Sequence, residues 1–241
     1  MINTFAQVDY LASAGGTVWH RASAASKLVL AAALVAVAVF SPSWLVLALM
    51  LATALALSAA ARLPAGLVAA AAGTPLLFSF VFVVARFRGD LPAALVLGMR
   101  PMVASLAALW LVGTTPYPDL FAPLARVLPK TLGDALFLTY RAVFMLLARV
   151  ERLWRALYLR GGMSGSPRRR LDLLGEALGT VLLSGFERSQ RLHQVMSLRG
   201  HSGRICGCRH WHDFRVEDAW ALVCLAWVLA VAILLRGTGG A

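Results

Sequence analysis

Five long apolar stretches constrain this chain more than any other feature of its sequence. Four of them occupy the first half and one lies near the C-terminus: 27–40, 44–61, 66–85, 91–112 and 219–235. A helix that crosses a bilayer needs roughly 20 apolar residues, or about 17 at the lower limit. The three stretches between 44 and 112 meet this requirement, whereas the first is short and the last is marginal. We therefore expect an all-α integral membrane protein with about five transmembrane helices.

The composition indicates that lipid is the second solvent of this protein. Apolar residues make up 60% of the chain and charged residues 14%, whereas a soluble domain is about half apolar and about a quarter charged. The chain opens with polar Asn3 and Thr4, and the first apolar stretch leads into further apolar stretches rather than to a cleavage site. We therefore predict no cleaved signal peptide. Three cysteines, one of them Cys224 within an apolar stretch, do not form a disulfide framework.

Positive charge is concentrated between residues 117 and 216. This block holds 16 of the 23 lysines and arginines and 7 of the 11 acidic residues. Because positively charged loops stay on the cytoplasmic side, we predict a multi-pass protein of the inner cell membrane in three regions. These are a membrane region with about four transmembrane helices, a cytoplasmic region with two long amphipathic helices and a final transmembrane helix, at 1–116, 117–216 and 217–241. Arginines alternate with core-type leucines here, so nucleic acid is not an expected partner.

Two long amphipathic helices are predicted within the basic block. Between 134 and 160 apolar residues recur at spacings of three, four or seven, and Asp134 is a suitable N-cap. The second helix follows three consecutive arginines at 168–170, and Gly200 ends it. Neither helix is apolar all round, so we expect both to lie against protein or at the membrane interface rather than to cross the lipid.

Each of these helices ends in the same signal, a leucine followed by an arginine and a glycine: Leu159, Arg160 and Gly161, and then Leu198, Arg199 and Gly200. Taken singly, either signal is interpreted as a helix cap, because a cation complements the C-terminal dipole and glycine adopts the left-handed conformation. Their repetition at the ends of two consecutive long helices favours a docking function. Two guanidinium groups at helix tips suit bidentate pairing with carboxylates on a partner that has two equivalent grooves, such as a dimer.

The sequence lacks the motifs of the common enzyme classes. It contains no phosphate-binding loop, no His-Glu-x-x-His and no Gly-x-Ser-x-Gly, so we expect no catalysis and no cofactor in this chain. Arg100, beside Pro101, is the candidate ionisable residue within an early span, and we interpret it as structural. An intramembrane enzyme would need convergent polar residues in its spans. A stand-alone permease would need paired charges or broken helices at the midplane, and both remain less favoured alternatives.

A short polar segment near the C-terminus carries a possible metal-ligand set. Two cysteines and two histidines alternate with other residues there: Cys206, Cys208, His210 and His212. This spacing would place all four on one side of an extended strand, and their ligand types suit zinc, nickel, cobalt or copper. Standard structural zinc sites have wider gaps between ligand pairs. A solvated polar loop is therefore the alternative to a metal site.

Several motifs along the chain match one known family: Asp9, Lys27-Leu28, the segment 114–120, the segments 138–141 and 186–188, and the segment 196–200 followed by Gly203-Arg204. On these residues the chain resembles the transmembrane component of energy-coupling factor transporters, in particular the cobalt-transport CbiQ type. The resemblance covers nearly the whole chain, and the segment 196–200 is its most specific part. The segment 206–212 departs from the family pattern.

The resemblance implies a scaffold that works with partner proteins. In that family two arginine tips insert into grooves on a cytoplasmic ABC ATPase dimer, and the scaffold also holds a small substrate-binding membrane subunit. Carried over, Arg160 and Arg199 would dock the ATPases, and 117–216 would be the coupling region. The partner subunits would use the ATP. The implied function is to transmit ATP-driven motion for cobalt or nickel uptake, with vitamin uptake as the alternative because the partner selects the substrate.

Overall fold

The protein is helical throughout the part of the chain that the structure describes. This computed structural model describes residues 9–86, 91–161, 166–201 and 216–236, and no strand occurs in these ranges. After a helical segment at 9–14, the helices are α1 (Val18–Arg21), α2 (Ala24–Phe40), α3 (Trp44–Ala60), α4 (Ala65–Arg86), α5 (Leu91–Thr114), α6 (Tyr117–Val127), α7 (Lys130–Leu159), α8 (Pro167–Leu198) and α9 (Asp218–Arg236). The predicted all-α fold is confirmed.

Prolines set many of the helix boundaries. Pro42 separates α2 from α3, Pro64 precedes α4, Pro116 precedes α6, and Pro129 precedes α7. Proline has no backbone N–H and a fixed φ, so it is tolerated at the start of a helix and weakens the interior. Pro75, Pro101 and Pro123 nevertheless lie inside α4, α5 and α6. The apolar stretches 27–40, 44–61 and 66–85 therefore fold as separate helices, close to the positions that the sequence predicts.

The first compact unit is a helical bundle with one apolar core. It comprises the described residues up to Pro123 together with α9. Its core is formed by α2, α3, α5 and α9, which contribute fully buried side chains such as Leu34, Leu47, Trp110 and Val228. Helix α4 packs against α5, and its aromatic side chains Phe78, Phe80 and Phe82 are exposed. Exposed apolar surface of this kind is expected where lipid replaces water.

Within the described residues, three helical segments are long and apolar enough to cross a membrane by length and composition: Ala65–Val83, Ala94–Thr114 and Thr131–Leu159. The first two lie in predicted spans. Three further apolar helices, Ala24–Phe40, Trp44–Ala60 and Asp218–Leu234, are shorter and lie near the lower limit of about 17 residues. The segment in α7 was predicted to be an amphipathic arm, and that assignment stays a prediction.

The second compact unit, Leu124–Cys208, contains the end of α6 and all of α7 and α8. Its α7 begins four residues earlier than expected, after Pro129, so the prediction that Asp134 caps this helix is wrong. Pro129 occupies the N-cap position, and the helix runs on through Gly133, where an added Cβ would lie 2.9 Å from the Cβ of Ala125. A larger residue at this position would force Ala125 or the helix to shift. The three-region division stays a prediction, since compactness does not report position relative to the membrane.

Helices α7 and α8 contact each other near their middles. A Cβ added to Gly185 in α8 would lie 3.7 Å from Cδ2 of Leu146 in α7. Arg160 lies fourteen residues after Leu146, and Arg199 lies fourteen residues after Gly185. Since a helix rises about 1.5 Å per residue, each arginine lies about 21 Å beyond this contact along its own helix.

Candidate functional site

The two predicted docking tips have nearly the same backbone geometry. Arg160 follows the last residue of α7 with φ −83° and ψ 7°, and Arg199 follows the last residue of α8 with φ −86° and ψ 10°. The next residues, Gly161 and Gly200, have φ values of 70° and 72°. The predicted helix ends are confirmed, and each arginine is held at the point where the chain turns back.

Backbone hydrogen bonds fix this turn at both tips. The Gly161 N–H donates to the carbonyl of Tyr158, and the Gly200 N–H donates to the carbonyl of Ser197, at 3.1 Å in each case. At the end of α8 the His201 N–H also donates to the Met196 carbonyl at 3.0 Å, which completes a Schellman motif. These bonds satisfy carbonyls that the helix would otherwise leave without a donor.

The side chains at both tips are accessible. Leu159 is 84% exposed and Leu198 is 88% exposed, and Arg160 and Arg199 are exposed as well. Within the described part of the chain, neither guanidinium makes a hydrogen bond or an ion pair, whereas Arg155 in α7 pairs with Glu151. Each tip therefore presents one apolar and one cationic side chain. This chemistry suits a groove with an apolar wall and a carboxylate.

The left-handed glycines lead to a stability prediction with an internal control. We expect Gly161→Ala and Gly200→Ala each to lower the free energy of unfolding by about 1–2 kcal/mol, because a Cβ disfavours positive φ. Gly175→Ala and Gly179→Ala, in the interior of α8 with open space around an added Cβ, should raise it by about 0.5–1 kcal/mol. Thermal unfolding of the detergent-solubilised protein measures both sets. If both sets of variants changed the unfolding temperature in the same direction, the left-handed conformation of Gly161 and Gly200 would be contradicted.

The other predicted site residues have different outcomes. The set Cys206, Cys208, His210 and His212 lies outside the described residues, so the metal site stays a prediction. Among the residues that the structure describes, no group of three His, Cys, Asp or Glu side chains could hold a metal ion. Arg100 donates from Nη2 to the backbone carbonyl of Ser41 at 2.9 Å, joining α5 to the end of α2. This contact supports the structural interpretation of Arg100.

A buried polar joint at one end of the bundle was not predicted from the sequence. Lys27 and Asp218 are each only 1% exposed. The Lys27 Nζ donates to the carbonyl of Thr114 at 3.1 Å, which joins α2 to the end of α5. Asp218 Oδ1 accepts from the N–H of Ser23 at 2.7 Å and from the hydroxyl of Ser26 at 2.9 Å, which joins α9 to α2. The joint lies where the chain passes from α5 into α6.

Electrostatics around the joint connect it to neighbouring elements. Burial, and then the charge of Lys27, lowers the pKa of His20 in α1. Burial, and then the carboxylate of Asp9, raises the pKa of the Tyr117 phenol at the start of α6. Asp9 and Lys27, two of the residues that carry the family resemblance, therefore act electrostatically on groups at this same end of the bundle. The available sequence signal was a charged residue at the start of an apolar stretch, which indicates neither burial nor a partner.

Comparisons with known proteins assign the chain to a transport family. A family model described as cobalt transport protein CbiQ matches residues 15–207. The cobalt transport protein CbiQ of Salmonella typhimurium (strain LT2) is 35% identical over 107 residues, which cover 43% of this chain and 46% of that protein. The match therefore spans about half the length of this curated relative.

The fold and the comparisons define the class of this molecule as a helical membrane protein of a transport family. The family match extends over most of the described bundle and includes both helix tips. The chain belongs to the CbiQ family of cobalt transport proteins.

Proposed function

We propose that this chain is the transmembrane coupling component of an ATP-driven importer. In this function it catalyses no reaction and binds no cofactor of its own. Two cytoplasmic ABC ATPases hydrolyse the ATP, and a small membrane subunit binds the substrate. The chain transmits the motion of the ATPases to that subunit. The observation that carries the proposal is the pair of helix tips with matching backbone geometry, each with an exposed, unpaired arginine in the described part of the chain.

Arg160 and Arg199 each dock into a groove of one ATPase. A guanidinium forms two parallel hydrogen bonds with a carboxylate, and a hydrogen bond to a charged group contributes about 1.5–3 kcal/mol. Leu159 and Leu198 add apolar contact beside each arginine, while Gly161 and Gly200 keep the turn that presents them. Two equivalent tips match two equivalent ATPase subunits. The net positive charge of 117–216 supports a cytoplasmic location for this region.

Helix α8 offers a surface for the substrate-binding membrane subunit. It contains no buried residue, and Leu171, Leu178, Leu182 and Phe186 are 62–73% exposed. These four residues fall on one side of the helix because their spacings are seven, four and four. A membrane partner would cover this stripe.

The proposed substrate is cobalt or nickel, on the basis of the family to which the chain belongs. The substrate-binding subunit selects the substrate in this scheme, so its identity decides between these metals and a vitamin. The metal is cargo and need not bind to this chain.

Purification from the native membrane in mild detergent, followed by mass spectrometry, tests the proposal. We expect an ABC ATPase pair and a small membrane protein to co-purify with this chain. Metal binding by the isolated small protein would identify the cargo. Recovery of this chain alone, from a preparation that keeps other membrane complexes intact, would overturn the proposal and favour a stand-alone permease.

A further inference from the structure

A cavity of about 810 Å³ lies beside the buried polar joint, at the same end of the bundle. It is lined by the segment 15–20, which includes α1, by the segment 60–63 at the end of α3, and by Leu11 and Trp220. Cavities of roughly 300–1,000 Å³ hold small-molecule ligands. The coupling function proposed above does not use this cavity.

The cavity wall contains a residue in an unfavourable backbone conformation. Arg62 has φ 55°, and it is the non-glycine residue with positive φ among the described residues. The Arg62 N–H donates to the Ala59 carbonyl at 2.9 Å and the Leu63 N–H donates to the Ser58 carbonyl at 3.2 Å. Helix α3 therefore ends in the same turn as α7 and α8, but with arginine where those helices have glycine. A Cβ disfavours this conformation, and strain of this kind concentrates at binding sites.

Arg62 also leaves a positive charge at the cavity without a counterion. Within the described part of the chain its guanidinium makes no ion pair or hydrogen bond, and the residue is exposed. A glycine at this position would relieve the backbone and remove the charge. The combination of strain, cavity and unpaired cation indicates an anionic ligand.

Two aromatic side chains of the wall, Trp19 and His20, are held in place by neighbouring residues. Trp19 packs edge to face on buried Trp110, with 5.5 Å between ring centroids. His20 Nδ1 lies 2.6 Å from the Thr17 hydroxyl. The His20 ring also occupies the space beside Gly15, where an added Cβ would lie 2.1 Å from Nε2. A preformed wall of this kind loses little conformational freedom when a ligand binds.

We propose that this cavity binds one anionic phospholipid. Arg62 pairs with the phosphate, and the indoles of Trp19 and Trp220, with Leu63, contact the glycerol region and the first part of the acyl chains. Tryptophan is enriched at the level of lipid headgroups in membrane proteins, and the cavity lies at the end of α3, an apolar helix of 17 residues. A largely apolar wall with one cation suits a molecule with an anionic head and an apolar tail. Free phosphate would leave the indoles without contact.

Native mass spectrometry of the full-length, delipidated protein titrated with phosphatidylglycerol or phosphatidylcholine tests this proposal. We expect the wild-type protein to retain one phosphatidylglycerol at least tenfold more strongly than phosphatidylcholine. Arg62→Gly should reduce that preference at least fivefold, and Arg62→Lys should keep most of it. Arg191→Gln, an exposed charge loss in α8, is the matched control and should bind as the wild type does.

A second measurement separates binding from folding. In lipid-free detergent, Arg62→Gly should unfold at the same temperature as the wild type or a few degrees higher, because glycine relieves the left-handed position. Equal retention of the two lipids by the wild type, unchanged retention by Arg62→Gly, or displacement of the lipid by millimolar inorganic phosphate would overturn the proposal. No ATPase is present in these experiments, so their outcome is independent of the coupling function.

Discussion

Reversing both tip charges, in Arg160→Glu/Arg199→Glu, should reduce ATP-dependent metal uptake more than tenfold and reduce co-purified ATPase to background. Each arginine would lose hydrogen bonds to a carboxylate that contribute about 1.5–3 kcal/mol, and the new carboxylate would repel its former partner. A loss of about 1.4 kcal/mol already lowers affinity tenfold. Cobalt and nickel uptake by cells that express the complete transporter, with quantitative pull-down of the ATPases, measures both effects.

The double variant needs a control of equal charge change away from the helix ends. Arg188→Glu/Arg191→Glu alters two exposed arginines in the interior of α8 and should leave ATPase co-purification close to that of the wild type. Neither tip guanidinium has a partner within the described residues, so the tip variant should lose only the interaction with the helix dipoles, about 0.3–1 kcal/mol at each tip, and should remain folded in thermal unfolding. Normal uptake by the tip variant, or an equal loss of ATPase in the control, would exclude the assignment of the tips as docking sites.

Removing the carboxylate of the buried joint, in Asp218→Ala, should lower the free energy of unfolding by about 3–5 kcal/mol. The carboxylates of Asp119 and Asp218 both interact electrostatically with the buried ammonium group of Lys27. The variant removes one of these two carboxylates. It also deprives the Ser23 N–H and the Ser26 hydroxyl of their acceptor. Thermal and denaturant unfolding of the detergent-solubilised protein provide the measurement.

Two further variants identify the cause of that loss. Asp218→Asn keeps an acceptor for Ser23 and Ser26 but removes the charge, so its destabilisation should be intermediate. Asp172→Ala, at an exposed position in α8, should change the free energy of unfolding by less than about 0.5 kcal/mol. If Asp218→Ala unfolds like the wild type, the joint does not stabilise the bundle.

The helices and their ends could largely be predicted from local sequence. Apolar stretches, prolines and glycines act through the chain itself, and α2, α3 and α4 lie where those signals place them. The start of α7 was predicted four residues too late, because Gly133 followed by Asp134 resembles a local helix start, whereas the helix begins after Pro129 and continues through Gly133. Asp134 is a residue type that often caps helices, but in the structure it lies inside α7.

The tips and the polar joint differ in how far sequence could describe them. Arginine followed by glycine is a local signal, so the helix ends at Arg160 and Arg199 could be predicted, although a function in docking stays a prediction. The pairing of Asp218 with the start of α2 joins residues from opposite ends of the chain, and only the folded bundle brings them together. Arg62 gave no signal at all, because its left-handed conformation occurs where the sequence offers no glycine.

The equal distances from the α7–α8 contact to the two tips have a mechanical consequence. Both arginines lie about 21 Å from the point where Gly185 faces Leu146. Rotation of either helix by about 10° around that point would move its tip by about 4 Å, roughly two-thirds of a helical turn of about 5.4 Å. Because the two distances are equal, rotating both helices by the same angle would move both tips by the same distance. In the proposed coupling function, two ATPases that move together would therefore drive both helices symmetrically. Gly185 itself places no side chain between the two helices at this contact.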